Sequence, residues 1–341
     1  MKMNSSVSVS PRDSIAVDDE TPTPSTKRVL NAGSVGRVLT KYAPLLVLAA
    51  LLVIGTIVHP GLWAVDNIRN ILTQNAAVAL VSFGMTLVII AGVFDLSVGA
   101  IFAAGAVAFA SLSNVFDLTS SALLAIGIGL LAGAFNGVIV TKFRVNSFIG
   151  TIATAAIISG LVYVACDSAP VQSDAVGFDT LGLGGIAGVP WSILIMLAVF
   201  VVLASVLNRT ILGRYVFASG GNAEAARLTG VPVAAVQIFC LVVVGGLSAL
   251  AGALTASQLG VGQPTLGANI ALDSFAIVVI GGTSVYGGRG ALWRTATGVL
   301  ILAVLTNIFN AMAWDTTRQS VAKGAVLLLA VALDAARNAR R

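Results

Sequence analysis

Residues 70–100 read NILTQNAAVALVSFGMTLVIIAGVFDLSVGA. An apolar run covers about residues 69–91 with no charge after Arg69; a short polar break holds Asp95, and a second apolar run opens at residue 97. At 1.5 Å per residue about twenty such residues cross a hydrocarbon core of roughly 30 Å. A strand of a membrane barrel would instead alternate polar and apolar residues over about ten positions. The stretch therefore predicts two membrane helices joined by a tight turn.

The rest of the chain repeats this pattern. Of 341 residues, 57% are hydrophobic and only 10% charged, against about a quarter charged in soluble domains, and the mean hydropathy is +0.98. The fold is read as an all-α integral membrane protein with about ten transmembrane helices. The apolar segments fall near 42–58, 69–91, 97–116, 119–141, 147–166, 190–208, 233–256, 271–282, 291–313 and 318–334. The eighth is too short to cross alone, so it must borrow flanking residues or be a broken helix.

Residues 1–41 are rich in Ser, Thr, Pro and charge and are expected to form a disordered cytoplasmic tail. They are too long and too acidic for a secretory leader, so the run after them should stay as the first span. Residues 42–336 form the membrane domain and 337–341 a basic cytoplasmic tail. With both termini inside and all ten segments crossing, every basic residue except Arg69, Arg318 and Lys323 lies on the cytoplasmic side, the asymmetry that sets orientation. The net charge of +5 is thereby explained without nucleic acid. The longest outer connection, 167–189, carries no basic residue and reads equally as a contact surface or a solvated loop.

Several motifs carry more than hydropathy. Gly129, Gly133 and Gly137, and again Ser248, Gly252 and Ala256, recur at spacing four, which lets a neighbouring backbone approach, inside one subunit or across a dimer seam. Asp95 and Ser97 sit between two apolar helices, where a buried carboxylate must be paired, cap a helix or serve the pathway. Asp273 and Lys323 should lie at similar depth and could pair. The run IGGTSVYGGRG, 280–290, is glycine-rich but lacks the spacing of a phosphate loop, as does the whole chain; its glycines suit a sharp turn. His59 is the only histidine, and Cys166 and Cys240 the only cysteines, so neither a metal site nor a catalytic cluster is expected.

Between two spans lies GRYVFASGGNAEAARLTGVPV, 213–233, on the cytoplasmic side of this topology. Asn222 reads as an N-cap, Glu224 suits the first turn, and Gly230 and Pro232 end the element. A two-turn amphipathic helix is marginal alone and needs something to lie on, either lipid or a partner protein.

With this stretch, the segments NILTQNAAVALVSFGMTLVIIAGVFDLSVGA, QPTLGANIALDSFAIVVIGGTSVYGGRG and VAKGAVLLLAVALD occur in the order that resembles the permease subunits of ribose-type ATP-binding-cassette (ABC) sugar importers, from about residue 60 to 334. The resemblance implies a multi-pass subunit of the bacterial inner membrane, a second permease subunit, a cytoplasmic ABC ATPase that holds ATP and Mg, and a periplasmic substrate-binding protein. It implies no cofactor on this chain and no enzymatic activity of its own. It further implies that the cytoplasmic connection 209–232 couples to the ATPase, through Arg214, Gly221, Asn222, Glu224, Ala225, Arg227 and Gly230. The cargo would be a monosaccharide or sugar alcohol, and Gln74, Asn75, Phe94, Asp95, Ser97, Asp273, Asn307 and Asn310 are the polar or displaced residues that could line its path. Phe94 stands where the family reads the Ile of G-I-D-L-S-V-G. The alternative is an ion-coupled secondary transporter, which would need several intramembrane carboxylates; only Asp95 and Asp273 qualify.

Overall fold

The computed structural model describes residues 32–338. Most of the two expected tails, 1–31 and 339–341, lies outside the described residues. The chain divides into two units, 1–41 and 42–341, and the second is the body of the protein.

Apolar runs become helices in chain order: α1 (Ala32–Val58), α2 (Val65–Ile90), α3 (Val98–Leu112), α4 (Leu118–Lys142), α5 (Ser147–Ala165), the single turn α6 (Thr180–Leu183), α7 (Trp191–Arg209), α8 (Ile211–Gly221), α9 (Ala223–Leu228), α10 (Val233–Leu259), α11 (Ile270–Ile280), α12 (Leu292–Ala311) and α13 (Thr316–Asn338). Each of the ten apolar segments falls on one of them. Six, namely α2, α4, α5, α7, α10 and α12, are long and apolar enough to cross a membrane. Four two-residue strands interrupt the connections: β1 (Val171–Gln172) pairs with β4 (Val261–Gly262), and β2 (Gly185–Ile186) with β3 (Val189–Pro190), both antiparallel.

The core is built around α10, which packs on α2, α3 and α4. Small residues make this possible. A Cβ at Gly133 would strike the Leu241 carbonyl, one at Gly129 the Gly245 carbonyl, and one at Gly252 the Phe102 carbonyl. The spacing-four faces are thus seams inside this subunit, with van der Waals contact supplying the attraction that water cannot. Helix α2 is mostly enclosed, as a helix apolar all round should be, whereas α4, α5 and α7 leave most of their surface outward. Leu131, Leu161 and Val164 are among their exposed apolar side chains, which suits lipid.

The eighth segment is a broken element. After β4 the chain passes through successive turns beside α3, with Gly262 against Ala106 and Ala110 and Gly267 against Gly99. Only then does α11 begin, and its 11 residues span about 16 Å, half a membrane. Non-helical backbone at this depth is tolerated because it lies against protein.

The long connection 167–189 is folded back on the body. Ser257 on α10 donates to the Phe178 carbonyl at 2.6 Å and accepts from Gly182 N–H at 2.8 Å, and Phe178 stacks on Phe109 at 4.9 Å.

Candidate functional site

Two local features stand out, a displayed helix and a half-helix cavity. The first is built by capping. Asn222, extended at φ −160° and ψ 100°, ends α8 and turns the chain; its Oδ1 accepts from Ala225 N–H at 3.0 Å and starts α9. At the other end Gly230 (φ +84°) and Val231 donate N–H groups to the carbonyls of Arg227 and Ala226, both at 3.0 Å, closing a left-handed cap. Ala226 is buried, while Glu224, Ala225 and Arg227 are exposed and Leu228 is 82% exposed. Glu224 and Arg227 pair at 3.3 Å, an exposed contact worth about 0.3–0.5 kcal/mol, too little to hold so short a helix.

What holds it is the mounting of α8. The sequence reading placed a single helix from Asn222; the structure adds α8, which runs through Gly220 and Gly221. A Cβ on Gly220 would enter the Ile90 carbonyl, and Gly220 Cα lies 3.2 Å from where a Cβ of Gly92 would stand. Gly288 N–H donates to that same Ile90 carbonyl at 2.9 Å. Gly92, Gly287 and Gly288 all hold positive φ. The ends of α2 and α8 and the loop before α12 therefore meet backbone to backbone, an approach only glycine permits. Side chains cannot rearrange at such a junction, because it has none between the three backbones.

The second feature is a cavity of about 250 Å³ at the start of α11, lined by Asn269, Leu272, Asp273, Ala276, Leu302, Ser320, Lys323 and Gly324. Asp273 and Lys323 share this cavity but form no ion pair among the described residues. The half-helix α11 begins at this cavity, where Asn269, Asp273, Ser320 and Lys323 supply the polar groups of an otherwise apolar lining.

The eight residues considered for the path do not converge. Only Asp273 lines the cavity. Asn307 pairs with Asn67 at 2.9 Å, Asn310 accepts from Gln319 at 2.9 Å, and Asn75 donates to its own helix at Ile71. Gln74 is exposed, Phe94 packs on Phe275 with ring centres 6.1 Å apart, and Asp95 and Ser97 are enclosed. Arg214 lies exposed on α8, away from the cavity lining. Sequence reasoning missed Leu228, because a leucine in AEAARL reads as the inward face until the corner at Asn222 is known. It also missed Asn269 and Ser320, which only the break before α11 and the packing of α13 bring together.

Residues 67–331 match the family described as branched-chain amino acid transport system / permease component. The chain is 38% identical over 305 residues to the ribose import permease protein RbsC of Haemophilus influenzae, covering 88% of this chain and 94% of that one. It is 39% identical to RbsC of Bacillus subtilis over 305 residues, 89% and 95% of the two chains. It is 34% identical to the L-arabinose transport system permease protein AraH of Escherichia coli over 309 residues, 88% and 92%. No solved structure matches significantly. The chain, with six membrane-length helices among its described residues, belongs to this family of multi-pass membrane transport permeases.

Proposed function

We propose that the chain is the membrane-spanning permease subunit of an ABC importer in the bacterial inner membrane, and that its cargo is a monosaccharide or sugar alcohol. The observation that carries this reading is similarity to ribose and L-arabinose permeases over nearly the whole of each chain. In this reading all ten apolar segments cross, and the distribution of basic residues then supports cytoplasmic placement of both termini. In that topology α9 faces the cytoplasm, and its exposed Glu224, Ala225, Arg227 and Leu228 are a docking surface for the ATPase that supplies ATP and Mg chemistry. The cavity at α11 belongs to the path, and a second permease subunit completes it.

Mechanistically, closure of the ATPase would push α9, and the glycine junction would pass that motion to α2 and α11, switching the path between outward and inward states. No covalent step falls to this chain. On the opposite side, the acidic connection 167–189 offers exposed Val176, Leu183 and Ile186 to a substrate-binding protein.

Replacing Glu224, Arg227 and Leu228 together by alanine tests the docking surface. Solute uptake and permease-stimulated ATP hydrolysis should fall together by about tenfold, the effect of losing roughly 1.4 kcal/mol of docking energy, with insertion unchanged. Unaltered uptake would refute the assignment.

A further inference from the structure

The turn between α2 and α3 holds a buried carboxyl with an unusual hydrogen-bond pattern. Asp95 is 1% exposed, as is Asn136 on α4, and Ser97 is fully buried. Asp95 Oδ1 accepts from Ser97 N–H at 2.8 Å, from Ser97 Oγ at 2.6 Å and, at a long 3.5 Å, from Asn136 Nδ2. Asp95 Oδ2 accepts nothing, and Asn136 Oδ1, equally enclosed, has no donor. The Asn136 amide is oriented by chemistry: Ser97 has spent its proton on Asp95, so at 2.7 Å it can only accept, and Asn136 must present its NH₂ there. Its carbonyl oxygen is then the open end.

We propose that Asp95 carries a proton in the folded protein, held on Oδ2 and donated to Asn136 Oδ1, so that a neutral acid–amide pair ties the α2–α3 turn to α4. The asymmetry is that of a carboxylic acid, one oxygen accepting and the other donating. A single proton satisfies both unengaged oxygens. A hard cation would instead collect about six to eight oxygen ligands, and the cluster has two to spare.

The electrostatic surroundings agree. Burial pushes the Asp95 carboxyl up, more than Ser97 and Asn136 pull it down. Elements packed around α3 are α4, α5, α10, α11 and the short strands β1 and β4, of which the strands carry no ionisable group. Their ionisable groups are Lys142, Tyr163, Cys240 and Asp273, with Arg144 in the turn after α4, and none acts on this carboxyl; Lys142 and Arg144 are exposed. An uncompensated buried anion would be costly, and such groups neutralise. The same turn is fixed to α5, where Ser147 Oγ accepts from Phe94 N–H and Thr151 Oγ1 from Leu96 N–H, each at 3.1 Å. It also leads into Gly92 at the junction that carries α8.

The test uses the full chain in detergent or nanodiscs. Asp95→Asn places an N–H donor where the acid O–H sits, so its melting temperature at neutral pH should match or exceed that of the parent. Asp95→Leu and Asn136→Leu should lower it. Infrared difference spectra of parent minus Asp95→Asn should show a protonated-carboxyl C=O stretch at neutral pH, shifted in deuterium oxide. The parent should lose stability as pH rises from the unfolded value of about 3.9 towards the raised folded value, because the unfolded chain ionises first; Asp95→Asn should lack this decline. A carboxylate band for Asp95 at neutral pH, or Asp95→Asn as damaging as Asp95→Leu, would overturn the proposal.

Discussion

Asn222 and Asp117 show how single side chains fix helix ends, and both make predictions at that scale. Asn222→Ala removes the acceptor for Ala225 N–H and should cost about 1 kcal/mol of local stability, read as faster amide exchange at Ala225; Asn222→Asp should restore protection. Asp117 caps α4 by accepting from Ser120 N–H at 2.9 Å and from its hydroxyl at 2.8 Å. Those bonds hold its carboxyl below the usual range. The contribution is therefore present above the unfolded value and is lost as pH falls through the lowered folded one. Protection of the Ser120 amide should persist at neutral pH and disappear in acid, whereas Asp117→Asn should show no such dependence. Asn222 was legible in sequence because a cap is a local signal, acceptor and donor lying three residues apart. The state of Asp95 was not, since its partner Asn136 stands 41 positions away and only the α3–α4 packing joins them.

Helix faces were legible where spacing alone determines them. Gly129, Gly133 and Gly137 had to share a side of α4, but the partner, α10 of the same subunit, emerges only in three dimensions. Gly133→Val forces a side chain into the Leu241 carbonyl and should destabilise by about 1–3 kcal/mol, seen as a lower melting temperature. Gly127→Ala, which meets nothing within 4 Å, should be neutral or slightly stabilising. The Gly220–Gly221 pair shows where propensity misleads. Two glycines weaken a helix, so the sequence suggested a helix that starts after them; α8 persists through them because Gly220 must lie against the Ile90 carbonyl. Gly220→Ala should leave ATPase co-purification intact while uptake falls, a separation of docking from transmission that alanines on α9 would not give.

Across the whole molecule the ten apolar segments all became helices, because a long uncharged run has few alternatives in lipid. The half-length α11 was legible as an anomaly of length, and its cause, a non-helical run of turns laid along α3, was not, since it depends on Gly262 and Gly267 finding small residues on another helix. Which polar residues face the path was the least legible feature. Asn67 with Asn307, and Asn310 with Gln319, satisfy one another across helices, and nothing in their local sequence announces it. The central claim, import powered by a partner's ATP hydrolysis, is tested most directly in sealed vesicles containing this permease, with and without its ATPase and binding protein, supplied with labelled ribose or L-arabinose. Uptake should require both partners and ATP and should persist when ion gradients are collapsed. Accumulation by the permease alone, driven by a proton or sodium gradient, would contradict it.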